Sequence, residues 1–477
     1  MLAHVSSLPG PAHAGDFGPA STRFLDWCHT SGLRLWQVLP LGPPGPGHSP
    51  FASSSAFACN PSWYSGRTGA GDSGEHGDRS DLASAAIDRR QRLEEAWIRF
   101  QRDADGDERR NFTAYCKDAD RAAWLPDWTL YSALKEHHGG RPWFEWDTEL
   151  RRRDAVALRA ASRQFAERVQ FHAWVQFALD GEARAVRTAA EERDIVWLGD
   201  LPFYVALDSA DVWSRRELFR VDPDGRPGAI AGVPPDDFSA TGQRWDQPVF
   251  DWKAMADDGF EWWLVRCRAA LCRVHALRLD HFRGYSACWE IPPGAETAAT
   301  GRWVDGPADA LLRSVRDAGL DDRLVAEDLG EITRDVIDLR ERFGLPGMHV
   351  LQFGLDDRES THHPERHSER ALACTGTHDN DTFNGWFAEL DAATRARVSD
   401  ALGSSETPAR SAIEVCWGSP ANWAIAPLQD MLELGGAARM NLPGQPAGQW
   451  TWRAGSFELT AERSGWLKRL SRLHRRV

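Results

Sequence analysis

Four acidic residues stand where short apolar runs end: Asp200 after IVWLG, Asp280 after LRL, Glu327 after LVA and Asp379 after TGTH. If those runs are strands of one parallel barrel, residues just past their C-terminal ends face a common pocket. Carboxylates gathered that closely require a cationic partner or a chemical task, because unpaired buried charge is costly. Arg278 precedes Asp280 by two positions, so strand alternation puts both on one face. A guanidinium there keeps the aspartate ionised, as a carboxylate nucleophile must be. A second carboxyl, held protonated, completes the equipment for cleaving a glycosidic bond. One group attacks the sugar carbon and the other gives its proton to the leaving oxygen, and in retaining chemistry the two lie about 5–5.5 Å apart. Taken singly, each acid is equally an ordinary loop residue or helix cap; their shared placement is what points to chemistry. The 23 tryptophans suit sugar binding, since indole faces stack on pyranose rings, although most are expected to be packing. Trp245, in the polar stretch FSATGQRWDQP, is the exception.

The elements that must hold these residues recur along the chain. Apolar runs begin at His4, Leu33, Asp194, His275, Arg323, Gly347, Ala371 and Asn422. Most are followed by helical patterns, as in STRFLDWCHTSG, where Ser21 is a candidate cap, and TRDVIDLRERFG, where Thr333 is another. Strands buried on both faces alternating with helices predict an α/β fold, a (β/α)8 barrel rather than a doubly wound sheet. The stretch between the second and third runs is far too long for a simple crossover. It predicts a helical insertion at the C-terminal face of the barrel over roughly residues 60–160, with a Gly/Asp/Ser-rich linker at 66–80. The whole chain, 1–477, is read as one catalytic unit.

Composition narrows the class of partner. With 56 Lys+Arg against 70 Asp+Glu, the net charge of −14 disfavours nucleic acid and anionic lipid. No run is long enough to span a membrane, and MLAHVSSLPGP lacks a signal-peptide pattern. The eight cysteines include no CxxC pair and are expected to be reduced, buried hydrophobes, so a cytoplasmic location is expected. No metal and no cofactor are expected. His362, His363 and His367 are interrupted by Pro364 in a polar stretch and read as a solvated loop. LGPPGPG lacks the Lys-Ser/Thr of a phosphate loop.

At these residues the chain resembles the amylomaltase family, the 4-α-glucanotransferases of the α-amylase clan, in its short bacterial-type form. The similarity runs almost end to end. It passes through SSLPGP, GDFG, LRLWQVLPLGPPGPGHSP, SAFACNP, GDLPFYVALDSADVW, AGVPPDDFSATGQRW and RLDHFRG. It continues through WEIP, VAEDLG, FGLPGMHVLQF, GTHDNDT, ARMNLPG and GQWTWR. The resemblance implies transfer of α-1,4-glucan segments between maltooligosaccharides by a retaining mechanism. It implies Asp280 as nucleophile, Glu327 as general acid/base and Asp379 as a third carboxylate on the sugar hydroxyls. Arg278, His281 and His378 match positions that contact the same glucose unit, and Asp200 matches a further acidic position. Asp236, Gln243 and Trp245 match sugar-binding positions in a lid-like loop, 230–250, that shields the intermediate from water. Ser49 and Asn441 match further binding positions.

The chain departs from that pattern at Phe51 and Ala52, where members usually carry Tyr and Gln, and at Asp246, where Gly is common. Gln449 replaces Asn, and THHPERHSER is unusual. A hydrolase on the same fold, or an inactive glucan-binding protein, are the alternatives to a transferase.

Overall fold

The computed structural model describes residues 1–10, 13–66, 77–235, 239–403, 407–445, 448–455 and 458–476. Four parallel strands lie side by side: Leu35–Gln37, Val196–Leu201, Ala276–Leu279 and Leu324–Ala326. Three more, Gly347–Val350, Ala371–Cys374 and Trp423–Ile425, form a second parallel set. Two joins close the ring. Leu2 bridges in parallel to both Gln37 and Pro427, and the Ala326 N–H donates to the Pro346 carbonyl at 2.8 Å. The result is a (β/α)8 barrel, seven of whose eight staves fall in the predicted apolar runs.

The strands are apolar because both faces are covered. All four residues of Ala276–Leu279, of Gly347–Val350 and of Ala371–Cys374 are buried. Each fully buried leucine or valine contributes about 1.5–3 kcal/mol relative to exposure, and such residues dominate the interior. The first stave departs from expectation: it pairs at Leu2, before the run that starts at His4, and Val5–Ser7 is a 3₁₀ turn. The backbone there is claimed by the chain's other end. Ser7 Oγ donates to the Trp452 carbonyl at 2.9 Å, and the Ala454 N–H donates to Ser7.

Helix Pro19–Thr30 begins two residues before Ser21, because Pro19 supplies the preset φ of a first helical residue. Ser21 Oγ instead donates to the Asp16 carbonyl. Phe24, Leu25 and Cys28 are buried as the pattern predicts. Thr333 does occupy the cap position of helix Arg334–Phe343, without a capping bond from its side chain, and Gly344 ends that helix at φ 65°.

Between the second and third staves run helices Leu82–Asp103, Gly106–Lys117, Leu125–His137, Ala155–Gln164 and Ala166–Glu191, with shorter turns. Leu82–Asp103 and Leu125–His137 both pack on Ala166–Glu191, which leads back to the third stave. Lys135 Nζ and Tyr131 Oη tie them to Asp208, on the loop after that stave, at 2.6 and 2.8 Å. One feature escaped the sequence reading: a separate antiparallel sheet in the order Gln243–Pro248, Ile230–Val233, Ala287–Ile291, Arg302–Asp305. The Gln243–Trp245 stretch, expected in a lid-like loop, is strand within it, as is Trp289 of the WEIP motif.

Candidate active site

Arg278 is the centre of the pocket. Its Nη1 donates to both oxygens of Asp200, at 2.8 and 2.9 Å, and to Asp280 Oδ1 at 2.8 Å; its Nη2 lies 3.6 Å from Glu327 Oε2. One guanidinium therefore serves three of the four acids, which is the cationic partner their assembly requires. The neighbouring carboxylates, outweighing burial, push its own pKa further up. Asp200 is closed off: its side chain has no exposure, whereas that of Asp280 keeps 21%. The register Asp200↔Arg278 between adjacent staves puts the two directly opposite. Asp200 thus underpins Arg278, and Asp280 presents its carboxylate to the open pocket.

Glu327 is set differently. Its Oε2 accepts from the His281 N–H at 2.7 Å and its Oε1 from the Leu329 N–H at 3.0 Å. Those donors and Arg278 favour the charged form, but burial and the charge of Asp280 favour the neutral one. The balance raises its pKa above the ordinary carboxylate value. Asp200 is likewise raised, by burial first and then by Asp280. Two acids on adjacent staves are thus set differently, Asp280 partly open and bonded to Arg278, Glu327 buried with its pKa raised.

His281 follows Asp280 in a left-handed conformation, φ 49°, which a non-glycine residue adopts only when its surroundings impose it. Gly284 explains part of the constraint: a Cβ there would sit 2.9 Å from His281 Cδ2 and 2.7 Å from Phe203 Cε1. Burial pushes His281 down to about 4, so its ring is neutral at physiological pH. The edge of Trp245 meets it with centroids 5.0 Å apart at 84°. Gln243 Oε1 accepts from Trp245 Nε1 at 3.3 Å.

Asp379 is exposed. Asn441 Nδ2 donates to its Oδ1 at 2.6 Å, and Arg439 Nη2 to its carbonyl at 2.5 Å. His378 Nε2 lies 3.3 Å from Asp379 Oδ2. Burial lowers the pKa of His378, and its ring stacks on Phe51 at 4.8 Å and 12°. Trp450 closes this wall, 5.9 Å from both rings. Beyond Trp450 a cavity of about 440 Å³ runs past His4, Trp63 and His48 to Phe171 and His172 of helix Ala166–Glu191. Ser49 is half-buried on the loop that carries Phe51. Asp236 lies outside the described residues.

The structure thus brings Arg278, Asp280, His281 and Glu327 together through Arg278 and the His281 N–H. Asp379, His378 and Asn441 form a second cluster. Three participants were not singled out in the sequence. Arg439 and Trp450 sit inside the quoted ARMNLPG and GQWTWR motifs, where their types were a signal; Gln247 follows Asp246 with no motif to mark it. The histidine stretch requires a correction. His363 and His367 are buried rather than solvated, and the His367 ring stacks on His349 of the sixth stave at 4.5 Å and 5°. Among the described residues no group of three or more His, Cys, Asp or Glu is arranged to hold a metal.

The family model described as 4-alpha-glucanotransferase matches residues 3–458. The chain belongs to the 4-alpha-glucanotransferase family. The 4-alpha-glucanotransferase of Thermus thermophilus is 41% identical, over 100% of this chain and 98% of that one. The enzyme of the same name from Aquifex aeolicus is 40% identical over 95% and 94%. Among solved structures, the amylomaltase of Streptococcus agalactiae in complex with acarbose superposes with a TM-score of 0.94 at 30% identity, covering 100% and 98%. The amylomaltase of Corynebacterium glutamicum, at 17% identity and a TM-score of 0.75, shares the fold. The activity of this chain is therefore 4-alpha-glucanotransfer, and the expectation drawn from its motifs holds in preference to a hydrolase or an inactive binding protein.

Proposed function

We propose that the transfer runs by double displacement through Asp280 and Glu327. Asp280, kept ionised by Arg278, attacks the anomeric carbon of the donor glucose while Glu327 gives its proton to the departing 4-oxygen. The glycosyl–Asp280 ester is then resolved by the 4-hydroxyl of an acceptor glucan, whose proton returns to Glu327, and the α-1,4 linkage is restored. Asp379, held by Asn441, accepts from hydroxyls of the bound ring beside His378, and His281 contacts the same unit. Asp200 acts beneath them by fixing Arg278. The observation that carries this reading is the pairing of an Arg278-bound, partly open Asp280 with a buried Glu327 that the His281 and Leu329 N–H groups fix beside it.

The segment 230–250, which hangs on the antiparallel sheet and bears Gln243 and Trp245, acts as a lid that excludes water from the ester. Asp236 would extend that lid's sugar contacts. The 440 Å³ cavity beyond Trp450 is the size of a ligand pocket, and we assign it to further glucose units. The helices of 60–160 and the loop with Ser49 form its walls. All eight cysteines are free thiols, which fits a reducing, cytoplasmic compartment. Among the described residues no helix is long and apolar enough to cross a membrane.

Chromatography of maltotriose products tests the reading, with Asp280→Asn and Glu327→Gln alongside. Longer maltooligosaccharides should appear together with glucose and vanish in both variants. Undiminished turnover in either variant would refute the assigned pair.

A further inference from the structure

The lid strand Gln243–Pro248 pairs with Ile230–Val233 through Ile230↔Pro248 and Gly232↔Arg244. Trp245, Asp246 and Gln247 therefore oppose the single residue Ala231, which makes a bulge. Asp246 stands at its apex in the left-handed region, φ 58°. Outside, Arg244 fastens the bulge, its Nε to Asp246 Oδ1 at 2.7 Å and its Nη1 to the Ala295 carbonyl at 2.6 Å. Inside, two contacts reach opposite flanks of the reaction centre. Trp245 meets His281, whose N–H holds Glu327. Gln247 Nε2 donates to the Phe51 carbonyl at 2.9 Å, and the Phe51 ring lies on His378, next to Asp379.

We propose that Gln247 is a positioning residue that couples the seating of the lid strand to the Phe51–His378–Asp379 wall, and so governs whether water or a sugar hydroxyl resolves the glycosyl-enzyme. This rests on the double-displacement reading above. The amide is the one direct tether from this bulge to that wall among the described hydrogen bonds. With it in place, the lid and the wall close on the ring as a unit. Without it, a gap opens along Phe51 that a water molecule enters more readily than a pyranose.

Glycosyl transfer conserves the number of reducing ends, whereas hydrolysis adds one per event, so the two fates are counted separately in one maltotriose reaction. Gln247→Glu keeps the shape but replaces the donor NH₂ with a carboxylate oxygen; Gln247→Ala removes the tether altogether. Both should raise the ratio of hydrolytic to transfer events roughly fivefold, the factor carried by one neutral hydrogen bond. A melting temperature within a few degrees of the parent, with that ratio raised, separates positioning from general damage. An unchanged ratio in both variants overturns the proposal. So does a rise in the alanine variant alone, which would make side-chain volume, not the hydrogen bond, the cause. Asp280→Asn is run beside them. If it stays active, the double-displacement reading itself fails; if it is inactive while the Gln247 variants keep the parental ratio, only this inference fails.

Discussion

At Glu327 two backbone N–H donors and a guanidinium pull toward the carboxylate, while burial and the nearby Asp280 pull toward the acid and prevail. The consequence is a pH profile. Glu327 must carry its proton when the donor bond breaks, so kcat/KM falls as pH rises through its raised pKa. The alkaline limb on maltotriose should therefore lie well above the ordinary glutamate value of about 4.3, and a limb near that value would count against the assignment. Glu327→Gln should lower activity by about 10²–10⁴-fold, the usual worth of a general acid. Asn441 offers an independent check at the other wall. Its amide donates to Asp379 Oδ1 at 2.6 Å, and hydrogen bonds to carboxylates are worth about 1.5–3 kcal/mol. Asn441→Leu should therefore reduce kcat/KM by about 10–100-fold in steady-state assays, and a value close to the parent would place Asp379 outside the sugar contacts.

At the scale of elements, the staves were readable because strands covered on both faces must be continuously apolar, and eight such runs stand in the sequence. The acids at their ends were readable for the same reason, since a charge that interrupts an apolar run is conspicuous. The antiparallel sheet was not. Gln243–Pro248 is half-exposed and polar, and Arg302–Asp305 is short, so neither carries an apolar signature. The first stave was misplaced because Leu2 pairs alone, its partners lying at Gln37 and Pro427. The tether at Gln247 depends on a bulge, which arises from pairing across the sheet and leaves no mark on the strand's own sequence. Gly284 links element to residue. Gly284→Ala places a methyl against Phe203 and His281, and overpacking of this kind costs about 1–3 kcal/mol. Thermal melting should show that loss, with a larger fall in kcat/KM than in stability because His281 is displaced; an active, fully stable variant would show that the helix turn yields instead.

The whole molecule is closed by its two ends. Leu2 completes the ring, and Arg453 reaches back to the Leu8 and Gly10 carbonyls at 3.2 and 2.6 Å. At the sixth stave, the rings of His362 and His367 pack against His349, with Arg340 nearby. Burial, then the charges of its neighbours, pushes His349 down to about 3, and burial and His367 push His362 down to about 4. An unfolded histidine titrates near 6.5, or about that value. Below it the unfolded chain binds protons that the folded chain refuses, so the stability these rings contribute is present above pH 6.5 and is lost as pH falls toward their folded values. Each costs about 1.4 kcal/mol per pH unit in that window. His349→Asn should flatten the decline of unfolding free energy between pH 6.5 and 4 by roughly one proton's worth, and parallel curves for the two proteins would contradict the burial of that ring as neutral.

The central claim, a covalent intermediate on Asp280 released through Glu327, is tested most directly by trapping. An α-maltosyl fluoride needs no proton for its leaving group, so Glu327→Gln should accept it and then stall for want of a base. Peptide mass spectrometry of the stalled protein should find the glycosyl mass on the peptide containing Asp280. The mass on Asp200, Asp379 or any other residue, or turnover of the fluoride with inverted products and no adduct, would contradict the account.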